Sequence, residues 1–160
     1  MVKKRPKLSA AGAAKVSGPI QKRPRKLVGL GLHQDDHPLW RLAFVDLAHA
    51  RWGWDNTSRD ELVKILGFLK ETERLTWRQI DDLKTGGHGR RGALHKFIPM
   101  ENLCPDAQDA LRDLELDDAS DDWYRFRLGG LVRLWGVREG QFFFPVWWDP
   151  RHEVCPSADR

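Results

Sequence analysis

Residues 123–156 read WYRFRLGGLVRLWGVREGQFFFPVWWDPRHEVCP, three strand-like runs separated by glycine-bearing turns. The first run, 124–128, ends at Gly129-Gly130, a pair that accepts the positive φ angles of a tight hairpin. The second, 131–138, ends at Glu139-Gly140, and the third, 141–149, is stopped by Pro150. The reading is an antiparallel β-meander. Two-residue loops at both turns fix which side chains share a face, because strand neighbours alternate. One face then collects Tyr124, Phe126, Leu128, Leu131, Trp135, Val137, Phe142, Phe144, Val146 and Trp148, with Arg133 its one charge. This is the expected core face. The other collects Arg125, Arg127, Val132, Leu134, Gly136, Arg138, Gln141, Phe143, Trp147 and Asp149, a mixture of arginines and aromatics that suits a working face. Two alternatives stay open. A type I turn with a Gly bulge at 137–140 would slip the third strand by one residue. Pro145, which cannot donate to a ladder, makes that run an edge strand or places a bulge there.

Working outward, the 160 residues suit one domain, expected over 28–160, with a core of useful size. No apolar run approaches the roughly 18 residues of a membrane helix, and the N-terminus lacks the apolar stretch of a signal peptide. Cys104 and Cys155 form no CxxC pair, so a zinc site is not expected and a reduced, cytoplasmic setting is the default. Charge is divided unevenly. Residues 1–27 hold nine Lys/Arg and no acid; of the chain's 27 bases, 18 are left to face 23 acids, a net of −5 for the remainder. The basic segment, poor in large apolar side chains, reads as a disordered tail, either a phosphate-seeking arm or a solvated leader.

His33 and His37 bracket two aspartates, but Gly29, Gly31 and Pro38 argue against the helix that would bring the imidazoles together, so a polar loop is preferred to a metal site. The alternation of Trp40, Leu42 and Phe44 predicts a strand over 40–47, followed by a turn or hairpin holding Arg51, Trp52 and Trp54. Ser58 and Glu61 have capping-box spacing ahead of Leu62, Ile65, Leu66 and Leu69, predicting a helix over about 59–74 in which Gly67 marks a close packing contact. Thr76 and Gln79 repeat the pattern for a short helix that stops at Gly86-Gly87. The loop GGHGRRG (86–92) carries Arg90 and Arg91, candidates for contact with RNA. Residues 95–98 suit a short strand, and Pro105 opens a helix over about 105–115 with Ala107, Ala110, Leu111 and Leu114 on one face. The fold class is therefore α+β, a C-terminal antiparallel meander with helices packed on one face.

The polar residues of the meander suggest chemistry. Arg125, Arg127, Arg138, Asp149, Arg151 and His152 combine guanidinium groups with a histidine and a carboxylate. Arginines hold a phosphodiester and stabilise developing charge, and a histidine transfers protons near neutral pH. Trp147 or Phe143 is placed to stack on a splayed base. The competing reading has the arginines paired with acids from a covering helix. No P-loop, Rossmann, HExxH or nucleophile-elbow pattern is present.

Over residues 105–155 the succession of a helix, YRFRLGGLVRLWGV and QFFFPVWWDPRHEV resembles the RelE/ParE toxin superfamily. Arg125, Arg127 and Arg133 match its arginine positions, and Arg151 and His152 its terminal basic segment. The long tail, two preceding helices and acidic body depart from its pattern. The resemblance implies a metal-independent, ribosome-dependent mRNA endoribonuclease needing no cofactor, with RNA or the ribosome as target and an antitoxin protein as partner. The same stretch also resembles uncharacterised bacterial and phage-borne proteins, for which a non-enzymatic nucleic-acid- or protein-binding module of a phage or mobile element is the alternative.

Overall fold

The computed structural model describes residues 31–86 and 92–157. The basic segment 1–27 and loop residues His88, Arg90 and Arg91 lie outside them. Five strands form one sheet: β1 (Leu39–Trp40), β2 (Lys96–Pro99), β3 (Asp122–Gly129), β4 (Val132–Glu139) and β5 (Phe142–Asp149). Their order is β1-β5-β4-β3-β2. The meander is antiparallel, β2 adds antiparallel to β3, and β1 adds parallel to β5. The helices are α1 (Arg59–Thr72), α2 (Trp77–Asp82) and α3 (Pro105–Asp113). The α+β class is as expected.

Helix starts follow the local chemistry. Ser58 Oγ accepts from Glu61 N while the Glu61 carboxylate accepts from Ser58 N, and Thr76 and Gln79 do the same for α2. Each box satisfies two N–H groups that a helix start otherwise leaves orphaned. Pro105 occupies the first turn of α3, where no donor is needed.

Both sheet faces are covered, not one. Tyr124, Phe126, Leu134, Phe143 and Trp148 pack against Ile65 of α1 and Trp77 and Ile80 of α2. Trp123, Trp135, Val137, Val146 and Trp147 pack against Ala107 and Leu111 of α3 and against Phe44 and Trp52. Fully burying each such side chain stabilises by roughly 1.5–3 kcal/mol, so both layers are part of the core.

Register explains the change of partners. The first turn falls at residues 130–131, with Gly129 opposite Val132, and a bulge between Arg127 and Gly129 sets Arg127 opposite Arg133. Arg125 and Arg127 therefore share the Trp135 face, one residue out of the expected register. In β5 the ladder shifts between Pro145, opposite Gly136, and Trp147, opposite Trp135. That is the bulge proposed at Pro145, and it turns Trp147 onto the Trp135 face and Trp148 away. β5 is interior rather than an edge. Val146 O accepts from Asp46 N at 3.1 Å and from Trp54 Nε1 at 2.9 Å, and Trp148 N donates to Trp52 O at 3.1 Å. The chain before α1 thus occupies the polar groups that the bulge frees.

The strand expected over 40–47 is cut to Leu39–Trp40. After Arg41 N donates to Phe143 O, the chain turns into a 3₁₀ segment, Leu42–Phe44, that exposes Leu42 and buries Phe44. Gly67 makes no close contact either: a Cβ built there meets nothing within 4 Å. The close approach is at Gly136, where a Cβ would lie 2.2 Å from Phe144 O.

Candidate functional site

The register assembles a cationic end on the Trp135 face. Arg127 of β3, Arg133 of β4 and Asp149 of β5 form one lateral row, and Lys96 of β2 and Arg125 of β3 lie in the next, beside Trp135. The turn after β5 adds Arg151 and His152 at the end of the Asp149 strand. Five bases thus meet two acids, Asp149 and Glu153, in a body that is acidic elsewhere.

The two acids meet the group in different ways. Asp149 is fully buried; Oδ1 accepts from Glu153 N at 2.9 Å, and Oδ2 from Val154 N at 3.0 Å and Trp135 Nε1 at 3.3 Å. Burial pushes its carboxyl pKa up while these donors pull it down. It organises the turn that carries Arg151 and His152. Glu153 lies 3.6 Å from Arg151, which is largely exposed.

Arg125 is 9% exposed, and its buried Nε has no hydrogen-bond partner among the described residues. Desolvation is the main cause lowering its pKa and the neighbouring Arg127 lowers it further, while Cys155 and Asp149 act in the opposite direction. No described ion pair reaches Arg125 or Arg127. Arg133, 4% exposed, donates through Nη1 to Gly130 O and Val132 O, both at 2.9 Å. Like charges directly opposite across a ladder, as in Arg127 and Arg133, repel. His152, 7% exposed, has φ +60°, a left-handed conformation that costs a residue with a Cβ.

The remaining sequence-derived candidates go elsewhere. Arg138 points to the opposite face, where Nη1 donates to Asp81 Oδ2 at 2.8 Å and the guanidinium lies 3.9 Å from the Trp77 ring centroid. It is paired with an acid from a covering helix. Trp147 and Phe143 are fully buried, one in each layer, so neither ring is open to a base. Trp147 Nε1 donates to Asp46 Oδ2 at 2.8 Å. His33 pairs with Asp36 and His37 with Glu73 O, so the two imidazoles serve separate contacts.

Lys96 was not picked out from the sequence; its signal was the short strand at 95–98, which says nothing of which edge it joins. The sequence pattern puts Arg133 on the core face with Trp135, and the bulge after Arg127 brings Arg125 and Arg127 to that face. His95, 3% exposed, supports the site from behind: Nδ1 accepts from Arg127 N at 3.0 Å, and burial lowers its pKa to about 4.

Comparison of the chain with protein-family models, curated proteins and solved structures finds no match. Among the described residues no helix is long and apolar enough to cross a membrane.

Proposed function

We propose that this chain is an RNA-directed protein that takes an RNA phosphate at the cationic end of the sheet, with metal-independent cleavage of the RNA as its activity. The observation that supports this is Arg125: a nearly buried guanidinium beside Arg127, whose Nε has no hydrogen-bond partner and which joins no ion pair among the described residues. An unsatisfied buried donor costs about 1–3 kcal/mol, a cost that a bound oxyanion offsets. Arg125 and Arg127 hold the non-bridging oxygens, Arg133, Lys96 and Arg151 add to the positive field, and His152 is the proton-transfer group. Asp149 positions the turn. The basic segment 1–27 adds loose, salt-sensitive attraction to the same polyanion.

A second reading, a non-enzymatic RNA-binding module, is favoured by the burial of His152. One experiment covers both: induced expression with growth and mRNA integrity as readouts, beside binding and cleavage of a short RNA by purified protein. Wild type should bind and cut; Arg125→Ala should lose binding, and His152→Ala should bind without cutting. Bound but intact RNA with wild type supports the module. Absence of binding removes the RNA reading altogether.

A further inference from the structure

A groove of about 300 Å³ lies between α1 and the tip of the β3–β4 hairpin, lined by Lys64, Gly67, Phe68, Leu128, Val132 and Trp148. Leu128, Val132 and Trp148 are the chain neighbours of Arg127, Arg133 and Asp149. Alternation along the strands sets the groove and the cationic row back to back across one hairpin tip. Trp148 is held in place because its Nε1 donates to Glu61 Oε1 at 3.2 Å. Among the described residues that line the groove, Lys64 carries the charge, with Glu61 behind Trp148.

Gly67 is the second observation. Glycine inside a helix is unfavourable, and here no neighbour excludes a side chain, since a Cβ would meet nothing within 4 Å. Packing does not require the residue. Its effect is to leave the groove open.

We infer that this groove receives an unstacked base of the RNA whose phosphate sits at Arg125 and Arg127. The inference rests on the RNA reading above. Single-stranded RNA joins a charged backbone to flat apolar rings, and this tip offers cations on one side and, on the other, a slot in which the half-buried Phe68 is the accessible ring and the nearly enclosed Trp148 is apolar wall. The slot is at the small end of ligand sites, large enough for one base and too small for a folded partner. Lys64 at its rim suits a group tethered to phosphate.

The test compares a short single-stranded RNA with an abasic oligomer of the same length, using the full chain, Gly67→Leu and Arg125→Ala. Leucine is a better helix former than glycine and has room, so the thermal midpoint of Gly67→Leu should hold or rise. The expected result is a five- to fifty-fold loss of affinity of Gly67→Leu for the base-bearing RNA, in line with about one stacked base. Its affinity for the abasic oligomer should be unchanged. Arg125→Ala should weaken both. Equal effects of Gly67→Leu on the two oligomers, or no effect on either while Arg125→Ala weakens both, overturns the base slot and leaves the phosphate site standing. Failure of wild type to bind either oligomer overturns the RNA reading and this occupant together.

Discussion

Arg138 and Asp81 form an ion pair at 2.8 Å in which the arginine side chain is fully enclosed. The other Asp81 oxygen accepts from Tyr124 O–H at 2.7 Å, and the guanidinium lies over Trp77. Removing Asp81 would leave a buried cation among the rings of Trp77, Phe97 and Tyr124, with Gln34 Oε1 at 3.5 Å. Asp81→Ala and Arg138→Ala should each destabilise by about 3–5 kcal/mol in denaturant unfolding. RNA binding by the folded fraction should be unaffected. Loss of binding by a stable Arg138→Ala protein would return this residue to the site.

The two tryptophans opposite each other on β4 and β5 should prove equally costly. Trp135 and Trp147 are both fully buried, so replacement of either by alanine should cost about 3–5 kcal/mol. A much smaller cost at Trp147 would mean that the bulge after Pro145 is absent in solution.

Stability should depend on pH through His95. Its folded pKa of about 4 lies below the ordinary 6.5, so the unfolded chain binds the proton first. The contribution is fully present above pH 6.5 and is lost as pH falls from there toward 4, amounting to about 3 kcal/mol. Urea titrations at pH 7.5 and 4.5 should show this loss, and His95→Gln should flatten it. An unchanged slope in the variant would assign the pH response to carboxylates.

Gly136→Ala should be among the most damaging small substitutions. The new methyl would press on Phe144 O at 2.2 Å and Phe143 Cζ at 2.7 Å, in the middle of the central strand. Overpacking of this kind costs about 1–3 kcal/mol or more. A thermal midpoint within a degree of wild type would show that β5 yields there.

Elements were legible where one local rule decides them. The capping boxes at Ser58 and Thr76 start the first two helices, Pro105 the third, and the glycine-bearing turns separate the meander strands. Register was not legible, because alternation locates a core only when the other face is polar. Here Trp135 and Trp147 are buried beneath α3 while Phe126 and Phe143 are buried beneath α1 and α2, so either register satisfies the pattern. Arg138 looked available for the same reason: its acid comes from α2, 57 residues earlier. Arg125, Arg127 and Asp149 lie on the Trp135 face with Arg151 and His152 in the turn that follows, Arg138 lies on the other face, and Lys96 joins the group only through the pairing of β2 with β3.

The parallel pairing of β1 with β5 also bears on self-association. Leu39 N, Arg41 N and Asp46 N donate to Gln141 O, Phe143 O and Val146 O, so residues 39–46 act as a shield along a strand that carries FFFPVWW. Without that shield β5 would offer a row of open carbonyls beside a run of aromatics, a template on which another chain could add a strand. Detachment of residues 39–46 from β5 is therefore the step from which aggregation of this protein would start, before either core layer opens.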